Sequence, residues 1–66
     1  MLQYRAQLGR MSSDGFNVIE TPMVGGSDFE RVKEAAIRQL TERGPAIGAD
    51  RLRLVSGSDA VVWEHP

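Results

Sequence analysis

The chain has no cysteine among its 66 residues. That excludes a disulfide framework and a thiolate metal site, and it fits a reducing compartment. Histidine is nearly missing too: His65 stands alone, next to last. A zinc site wants three or four nitrogen or sulfur ligands, so no metal is expected. Aromatics number four, Tyr4, Phe16, Phe29 and Trp63, and with Tyr4 and Trp63 expected to point inward the platform that stacks single-stranded bases is missing. No apolar run approaches the ~20 residues of a membrane span. "MLQYRAQLGR" has no apolar stretch after its first charge, so no signal peptide is expected. These absences point to a cytoplasmic protein with no membrane role. Net charge is −1, so no broad basic field advertises nucleic acid.

A chain of this length folds as one domain, residues 1–66. A domain near this size buries only about 60% of the surface its unfolded chain exposes. Its core is therefore thin.

What is present is skewed toward arginine: Arg5, Arg10, Arg31, Arg38, Arg43, Arg51 and Arg53 against the single Lys33. A GC-rich genome favours Arg, Ala, Gly and Val codons, and that alone suffices to explain the bias. The functional alternative is that guanidinium forks serve to bind carboxylate or phosphate.

"LQYRAQL" alternates with period two. Leu2, Tyr4, Ala6 and Leu8 point one way, and Gln3, Arg5 and Gln7 the other. That is a half-buried strand. Asp14-Gly15 then turns the chain, and "FNVIETPMV" is the return strand, with Pro22 marking an edge or an end. A two-residue turn sets Leu8 opposite Thr21. A three-residue loop with a left-handed Gly15 sets Leu8 opposite Glu20 and Tyr4 opposite Val24. The second register is preferred because it sends Phe16 and Val18 to the core; a bulge at Gly9 changes that outcome.

"SDFERVKEAAIRQLTERGP" is an amphipathic helix from about Asp28 to Arg43. Ser27 and Glu30 have capping-box spacing. Phe29, Val32, Ala36 and Leu40 form one stripe with Ile37 at its flank. Glu34 and Arg38 suit an i,i+4 pair, and Gly44-Pro45 should end the helix. Ile47, in the loop beyond, is placed to plug an end of the core. "RLRLV" and "AVVWEH" form a second hairpin. A two-residue Gly57-Ser58 turn pairs Leu54 with Val61, Leu52 with Trp63 and Arg51 with Glu64.

The expected fold is α+β, a two-layer ββαββ domain with two hairpins flanking one helix on a four-stranded sheet. Phe29, Val32, Ala36, Ile37 and Leu40 should pack on Tyr4, Leu8, Leu52, Leu54, Val61 and Trp63. By element order the chain resembles the β-grasp architecture of the immunoglobulin-binding domain of protein G and of ubiquitin-like domains. The resemblance implies first and last strands paired in parallel at the sheet centre. It rests on no motif and carries over no functional residue. An antiparallel meander is the competing topology.

Gly25 and Gly26 lead into the helix start, where anions can bind. However, no lysine follows in P-loop spacing and no dinucleotide fingerprint exists. Asp28 and Glu30 already place carboxylates in the first turn, where they repel phosphate. The glycines read as a turn. Asp14, Asp50 and Asp59 fall in turns. The serines have turn or cap roles, with no base in motif spacing. A carboxylate pair needs a walled pocket to separate its pKa values, and this chain has little mass for one. No catalytic residue, cofactor or small-molecule substrate is expected.

The helix covers one side of the sheet. The other should present Gln3, Arg5, Gln7, Arg51, Arg53, Val55 and Val62. Mixed arginine, glutamine and valine on a flat face suits a protein partner or a second copy of the chain. Arg5, Gln7, Arg51, Arg53 and Val62 are the candidate contact residues. The expected function is a non-enzymatic interaction module, an accessory protein of a GC-rich bacterium or its phage. One alternative is a nucleic-acid-binding protein using the sheet-face arginines. Another is a self-associating structural protein.

Overall fold

The computed structural model describes residues 1–65. One helix packs on a single open sheet of five antiparallel strands. The elements are β1 (Leu2–Ser12), β2 (Gly15–Glu20), β3 (Met23–Gly26), α1 (Phe29–Ile47), β4 (Arg51–Val55) and β5 (Val61–His65). No helix is long and apolar enough to cross a membrane among the described residues.

The expected return strand is two strands. Pro22 has no N–H for a ladder, and Thr21-Pro22 separates β2 from β3. The Pro22 carbonyl still accepts the Ala6 N–H at 2.8 Å. Both short strands pair with β1, β2 along its second half and β3 along its first. The sheet therefore has five strands rather than four.

Sheet order is β2-β1-β4-β5, with β3 also on β1. Neither the β-grasp nor the meander order is observed. The strand beside β1 is β4, and it runs antiparallel. The reason lies in the link after the helix. Only Gly48, Ala49 and Asp50 join α1 to β4, and the Asp50 N–H donates to the Gly9 carbonyl at 3.0 Å. The chain is thus delivered straight onto β1. β3 and β4 flank β1, both antiparallel to it, so they run parallel to each other with α1 as their crossover.

Asp28, not Ser27, caps the helix. Its carboxylate accepts the Arg31 N–H at 2.9 Å, the role preferred for an aspartate at that position. The helix also runs on through Gly44-Pro45 to Ile47. A residue before proline avoids helical backbone mainly because of its Cβ, and Gly44 has none. The true stop is Gly48, left-handed at φ 77°, whose N–H donates to the Gly44 carbonyl. The extra turn carries Ile47 onto the core. On the exposed flank Glu34 pairs with Arg31 at 3.2 Å, so the expected Glu34–Arg38 pair is replaced by an i,i+3 pair.

The core between helix and sheet holds Ala6, Leu8, Val24, Val32, Ala36, Ala49, Leu52 and Leu54. Tyr4, Phe29, Ile37, Leu40 and Trp63 pack around it. Tyr4 and Phe29 meet edge to face with centroids 5.6 Å apart. Val61, expected inside, is exposed.

Both hairpins depart from the expected registers at their tips. Leu8 does face Glu20, and Tyr4 faces Val24. Between Leu8 and Gly9 the register shifts, so Gly9 faces Val18 and Met11 faces Phe16. One extra residue inverts every side chain beyond it. Phe16 and Val18 consequently leave the core side for the open face. In the second hairpin the Ser56 N–H donates to the Ala60 carbonyl at 2.9 Å, and Asp59 is left-handed at φ 66°. The loop is three residues long rather than two, a form that takes a left-handed residue at its end. A further shift at Leu54/Val55 brings Trp63 opposite Leu54 and Glu64 opposite Arg53. Trp63 keeps its helix-side position, with Lys33 over its ring at 5.5 Å.

Candidate functional site

The open face is assembled by strand parity. Gln7 stands opposite Arg53, Gly9 opposite Arg51 and Arg5 opposite Val55. Side chains on one strand alternate between faces, so these residues share the side away from Ala6, Leu8, Leu52 and Leu54. The candidate residues Arg5, Gln7, Arg51 and Arg53 do lie together. Val62 is on the neighbouring strand and 42% exposed.

Their surroundings differ from the expected bare row of cations. The Arg5 guanidinium donates to the Ser56 carbonyl at 3.1 Å and forms an ion pair with Asp59. It ties β1 to the β4–β5 turn. Val55, expected at the surface, is buried. Arg53 Nε lies 3.7 Å from the Glu64 carboxylate, and its guanidinium carbon stands 4.3 Å from the centre of the Phe16 ring. A guanidinium over an aromatic face is attracted by the ring quadrupole. Arg51 is exposed and, among the described residues, has no carboxylate within ion-pair distance.

Gly9 makes the Phe16–Arg53 stack possible. It is buried, and a Cβ there would stand 2.0 Å from the Asn17 carbonyl oxygen and 3.0 Å from Phe16 Cζ. β2 and the Phe16 ring occupy the space a side chain would need. The ring lies over β1, and Arg53 reaches it from β4.

Beside this stack is a shallow depression of about 110 Å³, bordered by Met11, Phe16, Arg51, Arg53, Glu64 and His65. His65 stacks on Trp63 at 5.5 Å. Met11 and Val18 are 52% and 46% exposed. Sequence reasoning assigned Met11, Phe16 and Val18 no role on this face. The signal was Gly9 within an otherwise alternating strand, which marks a bulge or a close backbone approach. No trio of His, Asp or Glu side chains is placed to hold a metal ion among the described residues.

The arrangement offers apolar contact from Met11, Phe16 and Val18, a guanidinium held over Phe16 in Arg53 and an exposed cation in Arg51. Arginine beside aromatic and methionine surface is the composition enriched where proteins meet. Comparison with known proteins found no matching family model, no matching curated protein and no matching solved structure.

Proposed function

We propose that this chain is a non-enzymatic interaction module that binds a protein partner through the open face of its sheet. The observation that carries the reading is the Phe16–Arg53 stack with Met11 and Arg51 at its border. A rigid aromatic–arginine pair beside exposed methionine makes an anchor of the kind on which binding energy concentrates. The setting proposed is the cytoplasm, as an accessory protein of a GC-rich bacterium or its phage, on the cysteine-free, arginine-rich composition.

Nucleic acid is the alternative ligand. Phosphate binding draws on unpaired cations, whereas Arg5 and Arg53 each have a carboxylate on the same face. That favours a protein surface of mixed polarity over a polyanion.

The deciding experiment pairs capture with salt titration. The tagged chain and an Arg51→Glu/Met11→Glu variant are compared for partner capture from the native host. Both positions are exposed, so the variant should remain folded and lose the partner. In parallel, duplex DNA and single-stranded RNA are titrated at low ionic strength. Salt-dependent nucleic-acid affinity that the double variant abolishes would replace the protein reading. Undiminished capture by the double variant would remove the open face from consideration.

A further inference from the structure

The depression beside the Phe16–Arg53 stack is lined by two kinds of group. Met11, Phe16 and the buried Leu52 are apolar, while Arg51, Arg53 and Glu64 are charged. Its volume of about 110 Å³ is room for one side chain, since a dry cavity of about 150 Å³ takes a benzene. Apolar walls favour an apolar occupant.

Charge decides what must accompany that side chain. Two arginines against one glutamate leave the lining with a net positive charge, histidine counted as neutral, on a chain whose net charge is −1. The two guanidiniums are not equivalent. Arg53 is engaged by Phe16 and by Glu64 at 3.7 Å. Arg51 is exposed, stands opposite Gly9, and has no carboxylate within ion-pair distance among the described residues. Residues two apart on a strand project from one face, about 7 Å from each other. Arg51 therefore stands one step along β4 from the stack, and its donor fork matches a carboxylate.

We propose that the depression takes a segment of another protein in which an aspartate or glutamate stands one or two residues from a large aliphatic side chain. The aliphatic group enters between Met11 and Phe16, and the carboxylate pairs with Arg51. The inference rests on the open-face reading above and names the chemistry which that face selects. Apolar burial is non-directional, so it adds affinity without choosing a sequence. The Arg51 contact sets orientation and steers the encounter. An exposed ion pair alone contributes little, but the aliphatic group beside it excludes water and strengthens it.

A second copy of the chain fits less well. Among the described residues, the carboxylates within two positions of an exposed large apolar side chain are those of Glu20, Asp59 and Glu64. Each already has an arginine: Arg43, Arg5 and Arg53 in turn. The chain thus offers no ready counterpart to its own depression, and a different protein must supply one.

NMR titration of the full chain tests this with acetylated, amidated hexapeptides that hold leucine and aspartate at either spacing. In matched peptides, lysine replaces the aspartate or serine replaces the leucine. The aspartate–leucine peptides should shift the Arg51 guanidinium, Met11 methyl and Phe16 ring resonances at millimolar concentration. Either replacement should weaken binding about tenfold, the scale of a hydrogen bond to a charged group. On Arg51→Glu, whose melting curve should be unchanged, lysine peptides should bind better than aspartate peptides. On the wild type, added salt should weaken the aspartate–leucine peptides.

Aspartate and lysine peptides that bind the wild type equally overturn the proposal. So do shifts confined to another part of the surface, or no shift at millimolar peptide. Sedimentation of the chain alone checks the other occupant: a concentration-dependent dimer that Arg51→Glu dissolves would place a second copy there and overturn it too. Failure of the open-face reading registers separately. Partner capture lost in Arg51→Glu/Met11→Glu, with peptides that show no charge preference, leaves the open face standing and removes only the acidic ligand. Undiminished capture by that variant removes both.

Discussion

The two faces of this sheet are built from the same strands by alternate residues, yet they follow different rules. On the helix side, Ala6, Leu8, Leu52 and Leu54 are wholly or almost wholly buried, and among the described residues no buried polar side chain interrupts them. On the open side, order comes from polar fixtures: the Arg5 tie to Ser56 and Asp59, the Arg53–Glu64 pair and the Phe16–Arg53 stack. The closed face is held by apolar burial, which is non-directional and scales with area. The open face is held by geometry, and its contacts individually contribute little to stability. A thin domain can devote that second face to a partner because the first carries the fold.

The strongest break in this comparison should come from the closed face. Leu54 is fully buried between β1, β5 and the helix layer. Leu54→Ala should destabilise by about 2–5 kcal/mol through lost transfer energy and the cavity left behind. Stability of such a small domain is itself only a few kcal/mol, so the variant should be largely unfolded. Circular dichroism at room temperature checks this. A cooperative melt near that of the wild type would mean the helix–sheet core is not what holds the chain.

Gly9 comes next, and it lies where the two faces exchange residues. Gly9→Ala puts a Cβ against the Asn17 carbonyl, and overpacking of this kind costs about 1–3 kcal/mol. The damage should be local. β2 must move, so Phe16 should lose its place over β1 and its contact with Arg53, while the helix-side core persists. NMR can follow the Phe16 ring and Leu52 methyl resonances separately. Equal disturbance of both would show that the faces are not independent.

This glycine also marks the limit of what was legible beforehand. The α+β class, the helix stripe and the Leu8–Glu20 and Tyr4–Val24 registers could be read, because apolar periodicity records burial directly; the ββαββ order could not, since the return strand divides at Thr21-Pro22 into two. The face assignment of Phe16 and Val18 could not, since one extra residue at Leu8/Gly9 inverts it and leaves no mark on the pattern except the glycine. The strand order was equally hidden. It depends on where the three-residue link after Ile47 sets the chain down, and period-two patterning is blind to neighbours. The four sheet-face residues Arg5, Gln7, Arg51 and Arg53 were found from alternation. Their ion-pair partners were not, because the second hairpin's register turns on a left-handed Asp59 that resembles any turn aspartate.

A smaller effect separates two readings of the helix start. Asp28→Ala removes the carboxylate that accepts the Arg31 N–H and should lower stability by about 1 kcal/mol. Ser27→Ala, one residue earlier, should change it by no more than about 0.5 kcal/mol, as for ordinary surface positions. Paired urea titrations distinguish them. A larger loss from Ser27→Ala would restore the capping box that Ser27 and Glu30 suggest.

The smallest effect on stability should accompany the largest on binding. Arg51 is exposed, stands opposite the side-chain-free Gly9, and borders the depression beside Phe16. Arg51→Glu should shift stability by less than about 0.5 kcal/mol, because nothing packed depends on it. The same change reverses the sign of a cation that borders the depression beside the aromatic–arginine stack. Any partner placing a carboxylate there would meet repulsion instead of attraction, which slows association and alters its salt dependence. Arg5→Glu makes an instructive contrast. It reverses a charge too, but it also breaks the tie to Ser56 and sets a carboxylate beside Asp59, so its melting temperature should fall where that of Arg51→Glu does not. Binding lost in Arg51→Glu with an unchanged melt would locate recognition at this end of the face. Binding lost only in Arg5→Glu, together with stability, would mean the partner reads the β4–β5 turn and needs Arg5 to hold it in place.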